Sequence, residues 1–322
     1  MKYDVTALGE LLIDFTHNDI SPQGNSLFEA NPGGAPCNVL AMLTKLGYTV
    51  SFVGKVGDDA FGHMLARTVA NEKIDISGLH FETAAPTTLA FVHRLADGDR
   101  DFSFYRNPGA DMLLNASEVP EEQIASSRIF HFGSLSMTND GNFAATQKAI
   151  ELAEQNSVLR SFDPNLRPPL WQSLSLARER IRYGLAHCDI LKIADNELAW
   201  LTGSENSANA VRGLRREFDI SCIFVSMGSA GSQAYMKDCT VWMPAYLNPD
   251  SIDTTGAGDT FCACMLHGIL QHGIDELNEY TIGEMLRFGN AAASIVTTRR
   301  GALRVMPTRE EVEKLMSTYD HA

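Results

Sequence analysis

The sequence predicts an α/β fold: an open, mostly parallel sheet flanked by helices, with a second, smaller sheet lying over it. Three observations carry this reading. Short apolar runs of strand length alternate with segments of helical apolar spacing along most of the chain. Polar or glycine-rich punctuation falls repeatedly at the downstream end of those runs, which is the ligand-binding edge of an open parallel sheet. One stretch, residues 87 to 106, departs from the rhythm with period-two alternation on either side of Asp97-Gly98, the pattern of a β-hairpin.

In chain order, Tyr3 to Leu8 is a short buried strand ending at Gly9-Glu10. Leu11-Leu-Ile-Asp14-Phe then carries the apolar run to an acid that, taken alone, is more often a solvated loop residue than a ligand group. A polar stretch, His17 to Asn31, supplies material for the small sheet. Pro32-Gly-Gly-Ala-Pro-Cys-Asn38 feeds a helix: its glycines allow close backbone approach, Pro36 suits a first turn, and Leu40, Leu43 and Leu46 set a stripe ending at Gly47. Asn38 is either a first-turn polar residue or a group aimed at a ligand. Thr49 to Val56 is a strand, and Gly57-Asp-Asp-Ala-Phe-Gly62 opens a helix through Ala70. In the hairpin, Leu89, Phe91 and His93 alternate on one side and Phe102, Phe104 and Arg106 on the other. A layer of this kind over the main sheet suits a lid.

The strand-helix rhythm then resumes. Arg128-Ile-Phe-His-Phe-Gly133 is a strand, residues 141 to 155 a helix, and Val158-Leu-Arg-Ser-Phe162 a strand ending in Asp163-Pro-Asn-Leu-Arg167. Cys188-Asp-Ile-Leu-Lys-Ile193 leads to Asp195-Asn-Glu197 and a helix ending near Gly203, and Cys222-Ile-Phe-Val-Ser226 runs into Met227-Gly-Ser-Ala-Gly231. Gly283 to Thr298 is helical, with a small-residue face, Asn290-Ala-Ala-Ala293, suited to close helix packing or to a flat ring. Arg299-Arg-Gly301 turns, and Thr308 to Met316 form a last surface helix.

Composition narrows the function classes. With 44% hydrophobic and 20% charged residues the chain is an ordinary globular one, and its formal net charge of -14 disfavours attraction to nucleic acid or anionic membrane. The six cysteines are scattered without zinc-type pairing, as expected of buried thiols in a reducing compartment. Neither a signal-peptide core nor a bilayer-length apolar run is present, so the expectation is a cytoplasmic protein.

The chemistry concentrates in Asp253-Thr-Thr-Gly-Ala-Gly-Asp-Thr-Phe261. A polar loop precedes it, and Met265, Leu266, Ile269 and Leu270 follow at helical spacing, so a loop opens into a helix here. Gly256 and Gly258, with Ala257 between them, leave N–H groups uncovered where the free donors and positive dipole of a helix start point outward, an anion site. Asp259 sits at its edge. Either Asp259 and Thr260 merely cap the helix, or the carboxylate takes a proton from a substrate hydroxyl while the amides stabilise charge on a transferring phosphoryl group. Competing signatures are absent: no Walker loop, no G-x-G-x-x-G after the first strand, as a dehydrogenase would carry, and no H-E-x-x-H among nine histidines.

Over nearly its whole length the chain resembles the ribokinase-like, or PfkB, family of carbohydrate and nucleoside kinases. Pro32-Gly-Gly-Ala-Pro-Cys-Asn38 resembles the family's N-terminal glycine signature and the 253–261 stretch its C-terminal one, in the expected order and separation. Phe104-Tyr-Arg-Asn-Pro-Gly-Ala-Asp-Met-Leu-Leu114 and Asp163-Pro-Asn-Leu-Arg167 are similar to its fructokinase branch. The resemblance implies one Rossmann-like, doubly wound domain over residues 1–322 with helices on both faces. A β-sheet lid is implied near residues 14–32 and 87–114, and the implied reaction moves the ATP γ-phosphoryl group to a primary hydroxyl of a ketose, D-fructose foremost.

Carried over residue by residue, it implies Asp259 as base and Gly256, Ala257 and Gly258 as anion hole. Asp14, Gly33, Gly34 and Asn38 would hold the sugar, with Arg106 and Arg167 contributing. Ser226, Gly228, Gly231 and Asn290 would line the nucleotide, and Lys192 would reach its phosphates. Glu197 matches the acid of the family's N-x-x-E motif and would order Mg²⁺ through water, although Ala194 stands at the Asn position. The Asp253 and Thr255 positions imply a monovalent cation, potassium. Aminoimidazole riboside, ribose and 2-keto-3-deoxygluconate are the alternative substrates. A silent sugar-binding regulator is the non-kinase alternative, against which the intact 256–259 set stands. The expected partners are ATP and a small sugar, with a homodimer through an exposed lid sheet bearing Phe91.

Overall fold

The computed structural model describes residues 1–94 and 100–319, so the Asp97-Gly98 turn lies outside the described residues. In chain order the strands are β1 (Tyr3–Leu8), β2 (Leu12–Ile20), β3 (Ser26–Gly33), β4 (Val50–Gly57), β5 (Asp75–Glu82), β6 (Leu89–Arg94), β7 (Arg100–Tyr105), β8 (Ser127–Gly133), β9 (Leu159–Asp163), β10 (Ile190–Ala194), β11 (Cys222–Ser226), β12 (Ser232–Tyr235) and β13 (Thr240–Met243). The helices are α1 (Ala35–Lys45), α2 (Ala60–Asn71), α3 (Glu121–Ala125), α4 (Asp140–Gln155), α5 (Leu174–Ala186), α6 (Asp195–Thr202), α7 (Ser207–Glu217), α8 (Ala257–His272), α9 (Glu279–Thr297) and α10 (Arg309–Tyr319).

Among the described residues, nine strands form the main sheet in the order β13-β12-β11-β10-β9-β8-β1-β4-β5. It is parallel from β11 to β5 and antiparallel where β12 and β13 close the other edge. Its inner strands are near-continuous apolar runs because both faces are covered. Val5, Ala7, Phe52, Ile129 and Phe224 belong to one core with residues of α1, α2, α8 and α9, whereas Leu8, Val53, Phe130, Ile193 and Val225 belong to a second core with α4 to α7. This is the doubly wound, mostly parallel arrangement expected. Among the described residues, no helix is long and apolar enough to cross a membrane.

The elements the sequence did not announce lie at the edges. β5 is half-solvated, with Gly78 and Leu79 its buried residues, and β12 and β13 span four residues each, too short for a period to register. α9 starts at Glu279 rather than Gly283 because the Asn278 side chain accepts the N–H groups of Tyr280 and Thr281.

The polar stretch after Asp14 is not a loop. It forms β2 and β3, which pair antiparallel with Asp14 opposite Asn31, and β2 runs parallel to β6 with Ile13 opposite Leu89. The resulting small sheet has the order β3-β2-β6-β7. Phe15 stacks on Phe91 at 4.9 Å and meets the edge of Phe61 of α2 at 5.7 Å, which seats the sheet on the main body. Its roots are pinned more firmly. Arg106, just past β7, is buried and donates from Nε to Asp111 at 2.7 Å, from Nη1 to Thr138 at 3.0 Å and from Nη2 to the Leu135 carbonyl at 3.0 Å. Thr88, just before β6, donates to the other Asp111 oxygen at 2.5 Å.

This cluster generates a prediction. Asp111→Ala strands the Arg106 charge in the interior, so the unfolding free energy in urea should fall by about 3–5 kcal/mol. A loss within the ordinary range of surface substitutions, about 0.5 kcal/mol, would show that the pair does not hold the base of the small sheet.

Candidate active site

A cleft of about 720 Å³ opens at the carboxyl edge of the main sheet, within the size range of small-molecule sites. Leu12, Asp14 and Phe104 of the small sheet wall one side, and Glu10, Asn38, Arg167, Lys192, residues 253–256, Gly258 and Asp259 wall the other. A second cavity of about 370 Å³ adjoins it, lined by Ser226, Gly228, Gly231, Tyr246, Phe261 and Asn290. Ser251, Thr254 and Gly258 line both. The start of α8 is thus the partition between two chambers. A further cavity of about 500 Å³ near Arg215 and Cys222 shares no lining residue with either.

Gly256 is the N-cap of α8 with φ 79°, and a Cβ there would lie 2.6 Å from that of Ala302, so backbone conformation and space both require glycine. No side chain caps the helix. The Ala257 N–H donates to the Thr254 carbonyl at 3.2 Å and closes the turn. A Cβ on Gly258 would stand 3.1 Å from Lys192 Nζ, so a cation sits beside the helix start. Lys192 in turn donates to Asp163 at 2.9 Å, with both side chains nearly fully buried. Burial lowers the affinity of Lys192 for its proton, but Asp163 and Glu197 outweigh it and the ammonium stays charged.

Asp259, in the first turn of α8, has its carboxyl pushed up by burial and by Asp163, against the opposing pull of the Asn38 amide, Lys192 and Arg167. Asn38 Nδ2 donates to its Oδ2 at 2.8 Å. Across the cleft, burial pushes Asp14 up to about 7, with Arg167 opposing and Asp253 and Asp259 reinforcing the rise. Gly33 packs directly against the Asp14 carboxylate, and Gly34 against the Glu10 backbone.

Other expected site residues are placed less simply. Arg106 is not among the residues lining the cleft: its guanidinium is engaged by Asp111, Thr138 and Leu135 at the root of the small sheet. Arg167 does face the cleft. Asn290 lines the second cavity while donating to the carbonyls of Met243 at 3.2 Å and Pro244 at 2.9 Å, so it also shapes the wall. Both Glu197 oxygens accept backbone N–H groups, from Leu166 at 2.6 Å and Ala194 at 3.0 Å. Asp253 accepts the Thr255 N–H at 2.8 Å, which folds the loop before α8. Glu10 was missed from sequence as a site residue. It lies 4% exposed on the cleft wall, pushed up to about 7 by burial, and the available signal was its position directly after a buried strand.

Comparison with known proteins bears on the family and the fold. The family model described as pfkB family carbohydrate kinase matches residues 2–309. A probable fructokinase-2 of Arabidopsis thaliana is 40% identical over 94% of this chain and 93% of its own. The fructokinase of Xylella fastidiosa with bound ATP superposes with a TM-score of 0.90 at 31% identity, covering 99% of this chain and 100% of that one. The fructokinase of Vibrio cholerae O395 in its fructose, ADP and calcium ion bound form has a TM-score of 0.87 at 26% identity, over 98% of this chain and 100% of that one.

The stranded acids carry a pH signature. A carboxyl raised on folding binds its proton more tightly when folded, so for Asp14 the stabilising contribution is full below its ordinary value of 3.8 and is lost as pH rises through about 7. Asp14→Asn should therefore raise the thermal midpoint of the ligand-free protein at pH 8 and change it little near pH 4. A variant less stable at pH 8 would mean that the Asp14 charge is stabilised in the cleft.

Proposed function

The chain belongs to the pfkB family of carbohydrate kinases, and from that premise we propose that it is a fructokinase, transferring the γ-phosphoryl group of ATP to the primary hydroxyl of D-fructose to give fructose 6-phosphate. The observation that carries the reading is the shared wall: the uncapped start of α8 separates a polar, acid-lined chamber from a more apolar one, with Asp259 on the polar side. Sugar belongs in the first and nucleotide in the second, so the γ-phosphate meets the hydroxyl at the helix end.

The roles follow from position and chemistry. The Asp259 carboxylate takes the hydroxyl proton, the hydroxyl oxygen bonds to the γ-phosphorus, and ADP leaves. A placed base contributes about 10²–10⁴ to such a step. The amides at Gly256 and Gly258, with the Lys192 ammonium beside them, stabilise charge on the transferring group, while the Ala257 N–H, given to the Thr254 carbonyl, shapes the turn that presents them. Asp14, Gly34 and Arg167 border the sugar, Gly33 leaves room for the Asp14 carboxylate, and Asn38 lines the same chamber with its amide on Asp259. Ser226, Gly228, Gly231 and Asn290 border the nucleotide. Arg106 acts indirectly, by fixing the small sheet that covers the sugar and keeps water out.

The cleft also bears on which sugar it takes. Glu10, Asp14 and Asp259 all line it, and Arg106 is neutralised by Asp111. A neutral polyol is therefore favoured over a sugar acid such as 2-keto-3-deoxygluconate. The fructokinase relatives named above support a ketose.

Among the described residues no cluster of three or more His, Cys, Asp or Glu could hold a metal by itself. An Mg²⁺ carried in on the nucleotide would be met through water by Glu197, whose two oxygens also accept the Leu166 and Ala194 N–H groups. When bound, it neutralises phosphate charge. The oxygen-rich loop at Asp253 and Thr255 suits a potassium ion beside the helix start. Exposed Phe28 and Tyr105, both against Phe91 on the small sheet, fit a homodimer formed through that face.

ADP release measured over fructose, ribose, 2-keto-3-deoxygluconate, glucose and aminoimidazole riboside should show fructose far ahead. Silence on all five would favour a sugar-binding protein instead. Asp259→Asn should cut turnover about a hundredfold or more with little change in sugar affinity, and near-normal turnover in that variant would rule Asp259 out as base.

A further inference from the structure

We infer that Asn38 and Glu10 are positioning residues for Asp259: Glu10 anchors the amino end of α1, and the anchored helix holds the Asn38 amide against one carboxylate oxygen, leaving the other turned to the substrate hydroxyl. The inference rests on Asp259 being the base and adds how that base is held.

α1 begins without a cap of its own. Its N-cap is Gly34, which has no side chain to offer, and its first turn contains no acid. Glu10 supplies the missing acceptor from 25 residues away: its Oε1 accepts the Ala35 N–H at 2.8 Å. The contact is built in on both sides. Gly34 has φ 127°, and a Cβ there would collide with the Glu10 carbonyl oxygen, while a Cβ on Gly9 would lie 2.6 Å from Pro36 Cγ. The turn after β1 and the start of α1 are therefore locked together, and a carboxylate at an uncapped helix start is favourably placed against the dipole.

One turn further on, Asn38 is 4% exposed. Its Nδ2 donates to Asp259 Oδ2 at 2.8 Å, joining residues 221 positions apart. Its Oδ1 is buried and makes no hydrogen bond. An ionised carboxylate only accepts, so the amide must present nitrogen to it; the flipped orientation would set oxygen against oxygen. Asn38 thus uses its donor on the base and keeps its acceptor sealed from the cleft. That is the orientation of a group serving Asp259 more than of one sharing both ends with a ligand.

The electrostatics agree. The groups facing Asp259 are Asp14 from β2, Asp163 from β9, Arg167 after β9, Lys192 from β10 and Cys262 from α8 itself. Burial and Asp163 push the Asp259 carboxyl up, and the Asn38 donor is foremost among the influences pulling it down. A hydrogen bond to the charged form favours that form. Removing it raises the pKa further, so at a given pH less of the base is ionised.

The test is the pH dependence of kcat/KM for fructose in Asn38→Leu, Glu10→Leu, Glu10→Gln, the Glu10→Leu/Asn38→Leu double variant and Asp259→Asn. The acidic limb should move up by about one pH unit, a tenfold change in the ionisation constant, in both Leu variants. It should move no further in the double variant, since the residues act through one contact. Glu10→Gln should keep the wild-type limb because its amide oxygen still accepts the Ala35 N–H. If Asn38→Leu loses kcat/KM equally at every pH, Asn38 is a sugar contact and the inference fails. If the Asn38→Leu limb moves but that of Glu10→Leu does not, or that of Glu10→Gln does, the anchor fails. Glu10→Gln decides the point should Glu10→Leu not fold. Retained turnover in Asp259→Asn removes the base itself, whereas loss there with an unmoved limb in Asn38→Leu removes only the positioning.

Discussion

Negative charge is crowded at the carboxyl edge of the main sheet, in a chain that already carries a formal charge of -14. Asp14 and Asp259 line one cleft with Glu10 on its wall, and the buried Asp163 presses on Asp259 from outside it. Two unit charges about 4 Å apart interact by about 4 kcal/mol at an effective dielectric of about 20, so such a set persists only if each acid is answered. Lys192 answers Asp163, Arg167 opposes the rise of Asp14, and Asn38 donates to Asp259. The start of α8 adds a positive pole that no side chain caps, with Asp259 in its first turn. What remains is a cleft whose anionic side attracts hydroxyl groups and whose one bare pole attracts phosphate.

The fold is arranged to hold these groups still. α1 and α8 share one core and pack against each other, so Asn38 and Asp259 approach from two helices already fixed by apolar burial. Lys192 and Asp163 come from adjacent strand ends, β10 and β9, where the pitch of a parallel sheet brings their side chains together. Groups mounted on strand ends and helix starts are better located than groups on free loops. The small sheet is the exception in kind: it meets the main body through the Phe15–Phe61 contact and the charged cluster at its root. That division suits a layer that must cover the sugar without being welded over it.

Much of this was legible from sequence because it depends on local chemistry. An apolar run of strand length at Val158-Leu-Arg-Ser-Phe162, or a Gly-Ala-Gly-Asp opening a helix at 256–259, carries its own structural instruction, and both stand where they were expected. β2 and β3 were legible as polar material for the small sheet, but not as two separate strands. Their partly solvated faces lack a strong period, and pairing with β6 gives them their form. β5, β12 and β13 are edge or near-edge strands whose identity comes from their neighbours.

By itself the sequence determined the α/β order and the glycine-flanked start of α8 with an acid in its first turn, since glycine conformation, helix dipoles and apolar periods act over a few residues. Only the tertiary structure decided which distant groups answer one another. Arg106 has a carboxylate five residues away in Asp111 and is consumed by it rather than by the cleft. Asn38 finds its acceptor 221 residues along the chain, and Glu10 is a site residue only because Ala35 is folded onto it. Hydrogen bonds and charge pairs of that kind depend on distances in space that no local pattern encodes.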